Sequence, residues 1–204
     1  MRVRSVSNAV LPLFRGPFCD GVGLGSGYVD FDGYVLALTR PGRPRMPNGV
    51  ECGVDLAPGA RCRIGGGWLV VDGHGLLPGP LWNPVPEPRV RPRPGPGPAI
   101  EFDVEQLAGR GEGLTPAGDD LLAGYAAGLV LFHGRHAEAA AIAAAAAPRT
   151  TRLAATLLRH ASRGELPEPA HALLEDGDPG PLTCFGHSSG RCLLAGLAAG
   201  AAAC

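Results

Sequence analysis

The sequence predicts an α+β protein, with an N-terminal antiparallel β sheet or small barrel followed by a C-terminal helical domain. Three observations carry this prediction. Short runs that alternate apolar and polar residues fill the first 83 positions, and a proline-rich stretch then interrupts both periodicities. Beyond it, apolar residues recur at helical spacing. The expected organisation is a β-rich module over residues 1–83, a linker over 84–98 and a helical module over 99–204. A chain of 204 residues with 45% apolar content can bury a core of its own.

In the first module, Tyr28-Val29-Asp30-Phe31 and Tyr34-Val35-Leu36-Ala37-Leu38 flank Asp32-Gly33, the dipeptide that most strongly signals a tight hairpin. A second pair of strands is expected over residues 61–64 and 68–71, around Gly65-Gly66-Gly67. Further strands are expected over 50–56 and 3–6. The run Gly21-Val22-Gly23-Leu24-Gly25-Ser26-Gly27 has the look of a dinucleotide loop, yet it leads into strand residues where that fingerprint needs a helix. It is not read as a nucleotide site.

Prolines alternating with arginine and glycine over 84–98 exclude a helix interior and a central strand, leaving a linker or an extended surface crossing. The helical pattern then places Leu121, Tyr125, Leu129 and Phe132 on one face with Leu122 beside them, and Gly134 as the stop. Helices are expected over 138–147, ending at Pro148, over 151–163, ending at Gly164, and over 169–174. The last covers 188–203. Small residues at Ala195, Gly196, Ala199 and Gly200 permit close helix packing there.

The densest chemical signal lies in residues 109–120. Thr115 is expected to cap a helix beginning at Pro116, whose missing N–H costs nothing at that position. Gly109, Gly111 and Gly113 let the backbone present its N–H groups where the helix dipole favours an anion. Gly118 occupies a helical position at a cost in propensity. Asp119 and Asp120 point more than a right angle off the apolar stripe, so they are expected to face solvent or a site, not the core. Either they serve the helix start electrostatically or they serve chemistry.

Two more helix starts carry polar residues: Thr150 and Thr151 before Arg152, and Ser188 and Ser189 after His187. Singly, each hydroxyl reads as a cap. Together, if the starts converge, they would offer hydroxyls, N–H groups and a guanidinium to a small anion. Thr115, Asp119, Thr151 and His187 are then expected to line one cleft. His187 is either an acid–base group or a hydrogen-bonded structural histidine. Cys184, close before it, is read as a buried thiol and not as the partner of a Cys/His dyad, because no cation adjoins it.

Composition removes several classes of function. All 18 basic residues are arginine, so a P-loop lysine and a Schiff-base or pyridoxal-phosphate lysine are excluded. Net charge is −1 and no basic run extends beyond Arg89, Arg91 and Arg93, which argues against a nucleic-acid partner. The six cysteines show no C-x-x-C pair and no zinc spacing with histidine, and read as reduced, mostly buried thiols of a cytoplasmic protein. The longest apolar runs, 139–147 and 192–204, fall short of the ~20 residues of a membrane span. No membrane partner is expected. Asp119 and Asp120 could hold Mg²⁺ together with water and substrate oxygens.

The run Gly113-Leu114-Thr115-Pro116-Ala117-Gly118-Asp119-Asp120 resembles the Gly-Leu-Thr-Pro-x-Gly-Asp-Asp signature of a bacterial family that includes AllH, a subunit of oxamate carbamoyltransferase. Gly186-His187-Ser188-Ser189-Gly190, followed by Leu193, Leu194 and Gly196, is similar to a second motif of that family. Thr150-Thr151-Arg152-Leu153, with Leu157, Leu158, Arg159 and Ala161, is similar to a third, weaker one. The motifs cover most of 105–198, whereas the N-terminal half matches loosely and is shorter than the family leads one to expect.

The resemblance implies transfer of a carbamoyl group between phosphate and the amide nitrogen of oxamate. The small anions concerned are carbamoyl phosphate, phosphate, oxamate or oxalurate. Substrate-binding residues would be Gly111, Gly113, Thr115, Gly118, Thr150, Thr151, Arg152, Ser188 and Ser189. Arg152 and His187 would stabilise charge on the carbamoyl oxygen. Asp119 and Asp120 would be catalytic, with Asp119 orienting or deprotonating the amide or holding a metal. Partners are expected to be other subunits of a complex, or further copies of this chain. The competing reading is a non-catalytic anion-binding or scaffold subunit. Thr150-Thr151-Arg152 is only loosely similar to the Ser-Thr-Arg-Thr loop of better-known carbamoyltransferases, whose α/β pattern is absent.

Overall fold

The structure, a computed structural model, describes residues 1–95 and 102–203. It divides into two compact units, Met1–Pro84 and Val85–Cys204. Residues 96–98 of the expected linker and 99–101 of the expected helical module lie outside the described residues.

The first unit is a curled sheet, a half-barrel, of nine strands among the described residues. They are β1 (Ser5–Ser7), β2 (Cys19–Gly25), β3 (Tyr28–Phe31), β4 (Tyr34–Thr39), β5 (Gly49–Glu51), β6 (Arg61–Gly65), β7 (Trp68–Val71), β8 (His74–Leu76) and β9 (Leu81–Trp82). The spatial order is β8-β7-β6-β2-β3-β4-β5-β1-β9. Most neighbours are antiparallel, while β4–β5 and β1–β9 pair in parallel. The β3–β4 hairpin turns on Asp32 and Gly33, both at positive φ, as a two-residue turn between right-twisted strands demands. Asp30 Oδ1 accepts the Gly33 N–H at 2.8 Å and fixes the turn.

Of the glycine run set aside as a nucleotide loop, residues 21–25 lie in strand β2, and Ser26 and Gly27 form the turn into β3. A side chain at Gly21 would collide with the Phe31 ring, its added Cβ lying 2.5 Å from Cδ1. Of the strand expected over 50–56, only the β5 residues pair. Beyond them Val54 and Leu56 leave the ladder and pack on the core, which a short helix, α1 (Leu11–Arg15), helps close through Phe14.

The second unit contains α2 (Val104–Leu107), α3 (Ala117–His133), α4 (His136–Ala146), α5 (Arg152–Ala161), α6 (Glu168–His171), α7 (Gly180–Thr183) and α8 (Ser189–Ala202). Gly134 ends α3 in the left-handed conformation, as read from the sequence. Residues 85–95 belong to this unit. Arg89 and Val90 donate their N–H groups to Leu174 O, and Arg91 reaches Ala201 O while its guanidinium lies over the Phe132 ring.

The centre of this unit is the contact of α3 with α8. Gly124 faces Leu193 and Gly196, and Gly128 faces Gly200 and Ala201, so the two helices run in the same direction. A Cβ on Gly196 would sit 2.1 Å from Leu121 O, and one on Gly124 would sit 2.2 Å from Leu193 O. The helices therefore touch main chain to main chain. Among the described residues no helix is long and apolar enough to cross a membrane.

Candidate functional site

Because α3 and α8 are parallel and in register, their N-termini lie at the same end of the unit. Between them is an open cleft of about 370 Å³. One wall is residues 112–115 with Ala117, and the other is residues 186–189. The glycine loop reaches this position by folding back on its own helix. Arg110 N donates to Leu107 O and Gly118 N donates to Arg110 O, at 3.0 and 2.9 Å. Thr115 does not cap α3. Pro116 is the cap residue, no side chain caps the helix, and α3 starts one residue later than the sequence suggested. The Thr115 hydroxyl instead lies 3.1 Å from the Ser189 hydroxyl, joining the two walls.

Of the two directions expected for the aspartates, solvent or a site, the structure removes solvent for Asp119. Asp119 is 2% exposed, so it faces inward, not toward solvent. Its carboxylate accepts the Gly109 N–H on both oxygens, at 3.1 and 3.2 Å, and the Thr150 hydroxyl on Oδ2 at 2.5 Å. The helical wheel placed it off the apolar stripe correctly, but the folded-back loop and the residues before α5 cover that polar face. Burial raises its pKa, against the lowering effects of the Thr150 and Gly109 hydrogen bonds.

Asp120 is half-buried, and its Oδ2 is enclosed with no hydrogen-bond partner. Burial pushes its carboxyl up to about 7, opposed by the Ser189 hydroxyl and reinforced by the negative charge of Asp119. The same carboxyl helps raise the Cys192 thiol, for which burial is the larger cause. Asp120 thus stands behind Ser189, whose side chain faces the cleft.

The third helix start joins this cluster through its backbone neighbours. Thr151 caps α5, accepting the Ala154 N–H at 3.1 Å, and donates its hydroxyl to Leu114 O in the glycine loop at 2.5 Å. Thr150 is held by Asp119. Arg152, the first residue of α5, is exposed and is not among the residues lining the cleft. Ser188 and the exposed His187 line it, and Ser188 is the α8 cap residue without a side-chain cap bond. Gly113 also lines it. Gly111 is exposed beside Ala117 N, which an added Cβ would approach to 2.7 Å. Gly118 is buried against Leu107 O, only 2.0 Å from where a Cβ would be, so it serves the approach of α2 to α3 instead of facing the cleft.

Among the described residues no group of three or more His, Cys, Asp or Glu side chains is placed to hold a metal. Since both Asp119 oxygens already accept protein hydrogen bonds, Mg²⁺ at the pair would take its remaining ligands from water and substrate. Sequence reading missed Glu112, Leu114, Ala117 and Gly186 as lining residues. Leu114 had a signal to offer: an exposed leucine set between glycine and threonine in a loop has no core to fill.

Comparison with known proteins agrees with where these features fall. Residues 107–201 match the family model described as oxamate carbamoyltransferase subunit AllH. The matched region is similar to that family. It includes both walls of the cleft, the two aspartates and the start of α5, and it spans a little under half of the chain. No curated protein and no solved structure matches the chain. The AllH-like region ends where the helical unit ends, and the sheet unit lies outside it.

Proposed function

We propose that this protein is a subunit of an oxamate carbamoyltransferase-like enzyme, and that the cleft between α3 and α8 holds one of its small anionic substrates. The observation that carries the reading is the coincidence of the segment similar to the AllH family with a cleft at two parallel helix N-termini. First-turn N–H groups attract anions where they are not already engaged; those of Gly118 and Gly190 are taken by Arg110 O and Phe185 O, which leaves the role to the residues before them. In this reading the glycine loop with Ser188 and Ser189 positions a phosphate or carboxylate group. His187 at the rim stabilises charge on the carbamoyl oxygen, and Arg152 approaches when partner subunits complete the site. The Ser189 hydroxyl takes the proton of the attacking amide and passes its own to Asp120, to which it is hydrogen-bonded, and Asp119 fixes the glycine loop.

The complex is assembled from this chain and other subunits, or from further copies of it, and works in the cytoplasm, where its cysteines stay reduced. The cysteines among the described residues are unpaired; Cys52 and Cys62 are buried, but Cys184 is exposed and Cys19 and Cys192 are half-buried, so the thiols are not mostly buried as the sequence suggested.

A reconstituted complex assayed with oxamate and carbamoyl phosphate tests the reading. Asp120→Asn is expected to lower the transfer rate by at least about tenfold, roughly 1.4 kcal/mol of barrier. Unchanged turnover would leave the aspartates as supports of the helix start. That result would favour the second reading, an anion-binding or scaffold subunit without chemistry. One observation already points that way, since Asp119 is fully engaged with Gly109 and Thr150.

A further inference from the structure

The sheet unit, which the proposed function leaves without a role, contains a larger recess of about 500 Å³ where the end of β4 meets the chain after β5. Its apolar side is formed by Leu38, Val54 and Leu56; the latter two lean on the core of the half-barrel. Its polar side is built on the turn Arg40-Pro41-Gly42-Arg43, closed by Arg43 N donating to Arg40 O at 3.1 Å. Proline and glycine fix that turn, so both guanidinium groups spring from a defined backbone. They differ in their company. Arg40 is paired with Asp55, Nη2 to Oδ1 at 2.5 Å, whereas Arg43 carries no ion pair among the described residues.

The charges lining the recess therefore sum to one uncompensated positive charge, on Arg43, in a recess that also has an apolar lining. Ser26, in the β2–β3 turn, and Thr39 add hydroxyls at the margin. This combination is selective. A bare inorganic anion would use the guanidinium and waste the wall, and a dianion would meet too little charge beside Asp55. We propose that this recess binds a singly charged organic carboxylate with an apolar body. The carboxylate would sit on Arg43, with Arg40 held alongside by Asp55, and the hydrocarbon part would lie on Leu38, Val54 and Leu56.

The test uses the full chain titrated with hexanoate, acetate and inorganic phosphate, followed by amide chemical shifts and calorimetry. Hexanoate is expected to saturate with shifts in residues 26–56, and to bind about tenfold more tightly than acetate because of the area it buries. Arg43→Ala is expected to weaken it about fivefold or more, and Leu56→Ser to erase its advantage over acetate. Unchanged thermal unfolding of Arg43→Ala, an exposed site, would show that the fold is intact. Three results would each overturn the proposal: no saturable shifts in this region, phosphate or acetate binding as tightly as hexanoate, or Arg43→Ala binding hexanoate like the parent. None of them bears on the cleft in the helical unit, which is read with different ligands and different residues.

Discussion

In the sheet unit Gly33 stands at a turn, where it lets the chain reverse; in the helical unit Gly196 stands in mid-helix, where the missing side chain lets two backbones meet. Gly33 has positive φ and open space around its missing side chain, while Gly196 has ordinary helical geometry and Leu121 O where a Cβ would be. The first glycine answers a local requirement of the backbone and the second a tertiary one. Substitution should therefore cost little at Gly33 and much at Gly196.

The largest expected effect is at the helix contact. Gly196→Ala gains helix propensity but forces α3 and α8 apart, with an expected net loss of about 3 kcal/mol in the helical unit. The two units can be followed separately. Both tryptophans, Trp68 and Trp82, lie in the sheet unit, so fluorescence reports that unit while circular dichroism at helical wavelengths reports the other. Loss of helical signal at lower denaturant with the tryptophan transition unmoved is the expected pattern. A stability equal to the parent would mean that the helices are not in main-chain contact.

An intermediate effect is expected from pH. Asp120 titrates near 7 in the folded protein and near ~4 when unfolded, so between these values the folded state binds more protons. Stability from this group is complete below pH ~4 and is lost as pH rises through about 7; the raised Asp119 acts in the same sense. The helical transition should weaken by on the order of 2 kcal/mol from pH 5 to 8, and Asp120→Asn should make that decline shallower. If parent and variant decline in parallel, Asp120 is not the group responsible.

The smallest effect belongs to the turn. Gly33→Ala meets no atom and suffers only the left-handed backbone, for an expected cost of about 1 kcal/mol, seen in the tryptophan transition alone. A cost matching that of Gly196→Ala would erase the distinction between local and tertiary glycines.

The same distinction explains how much could be read from the sequence. The β3–β4 and β6–β7 pairs, the stop at Gly134 and the cap at Thr151 are set by a few adjacent residues, and all were legible. The β7–β8 turn on Asp72-Gly73 carried the same dipeptide signal as Asp32-Gly33 and was passed over. Strand β9, whose pairing partner β1 is distant in sequence, left no local trace. At the candidate site, the motif residues were identifiable but the direction of the aspartates was not. A helical wheel knows only the helix, whereas Asp119 is buried by Gly109 and Thr150, one from the loop before α3 and one from the chain before α5. Gly118 misled in the opposite sense: its cost in helix propensity is explained by Leu107 O, not by a ligand.

The main-chain contact between α3 and α8 also makes the recess at their ends a gauge of fixed width. Side-chain rotamers cannot widen it, because the spacing is set by Gly124 against Leu193 and Gly196, and by Gly128 against Gly200. The helices could shift only by exchanging one small-residue notch for the next, a ratchet step of one turn, about 5.4 Å along the axis. Any adaptation of the cleft must then come from the two segments that precede the helices, residues 112–115 and 186–188.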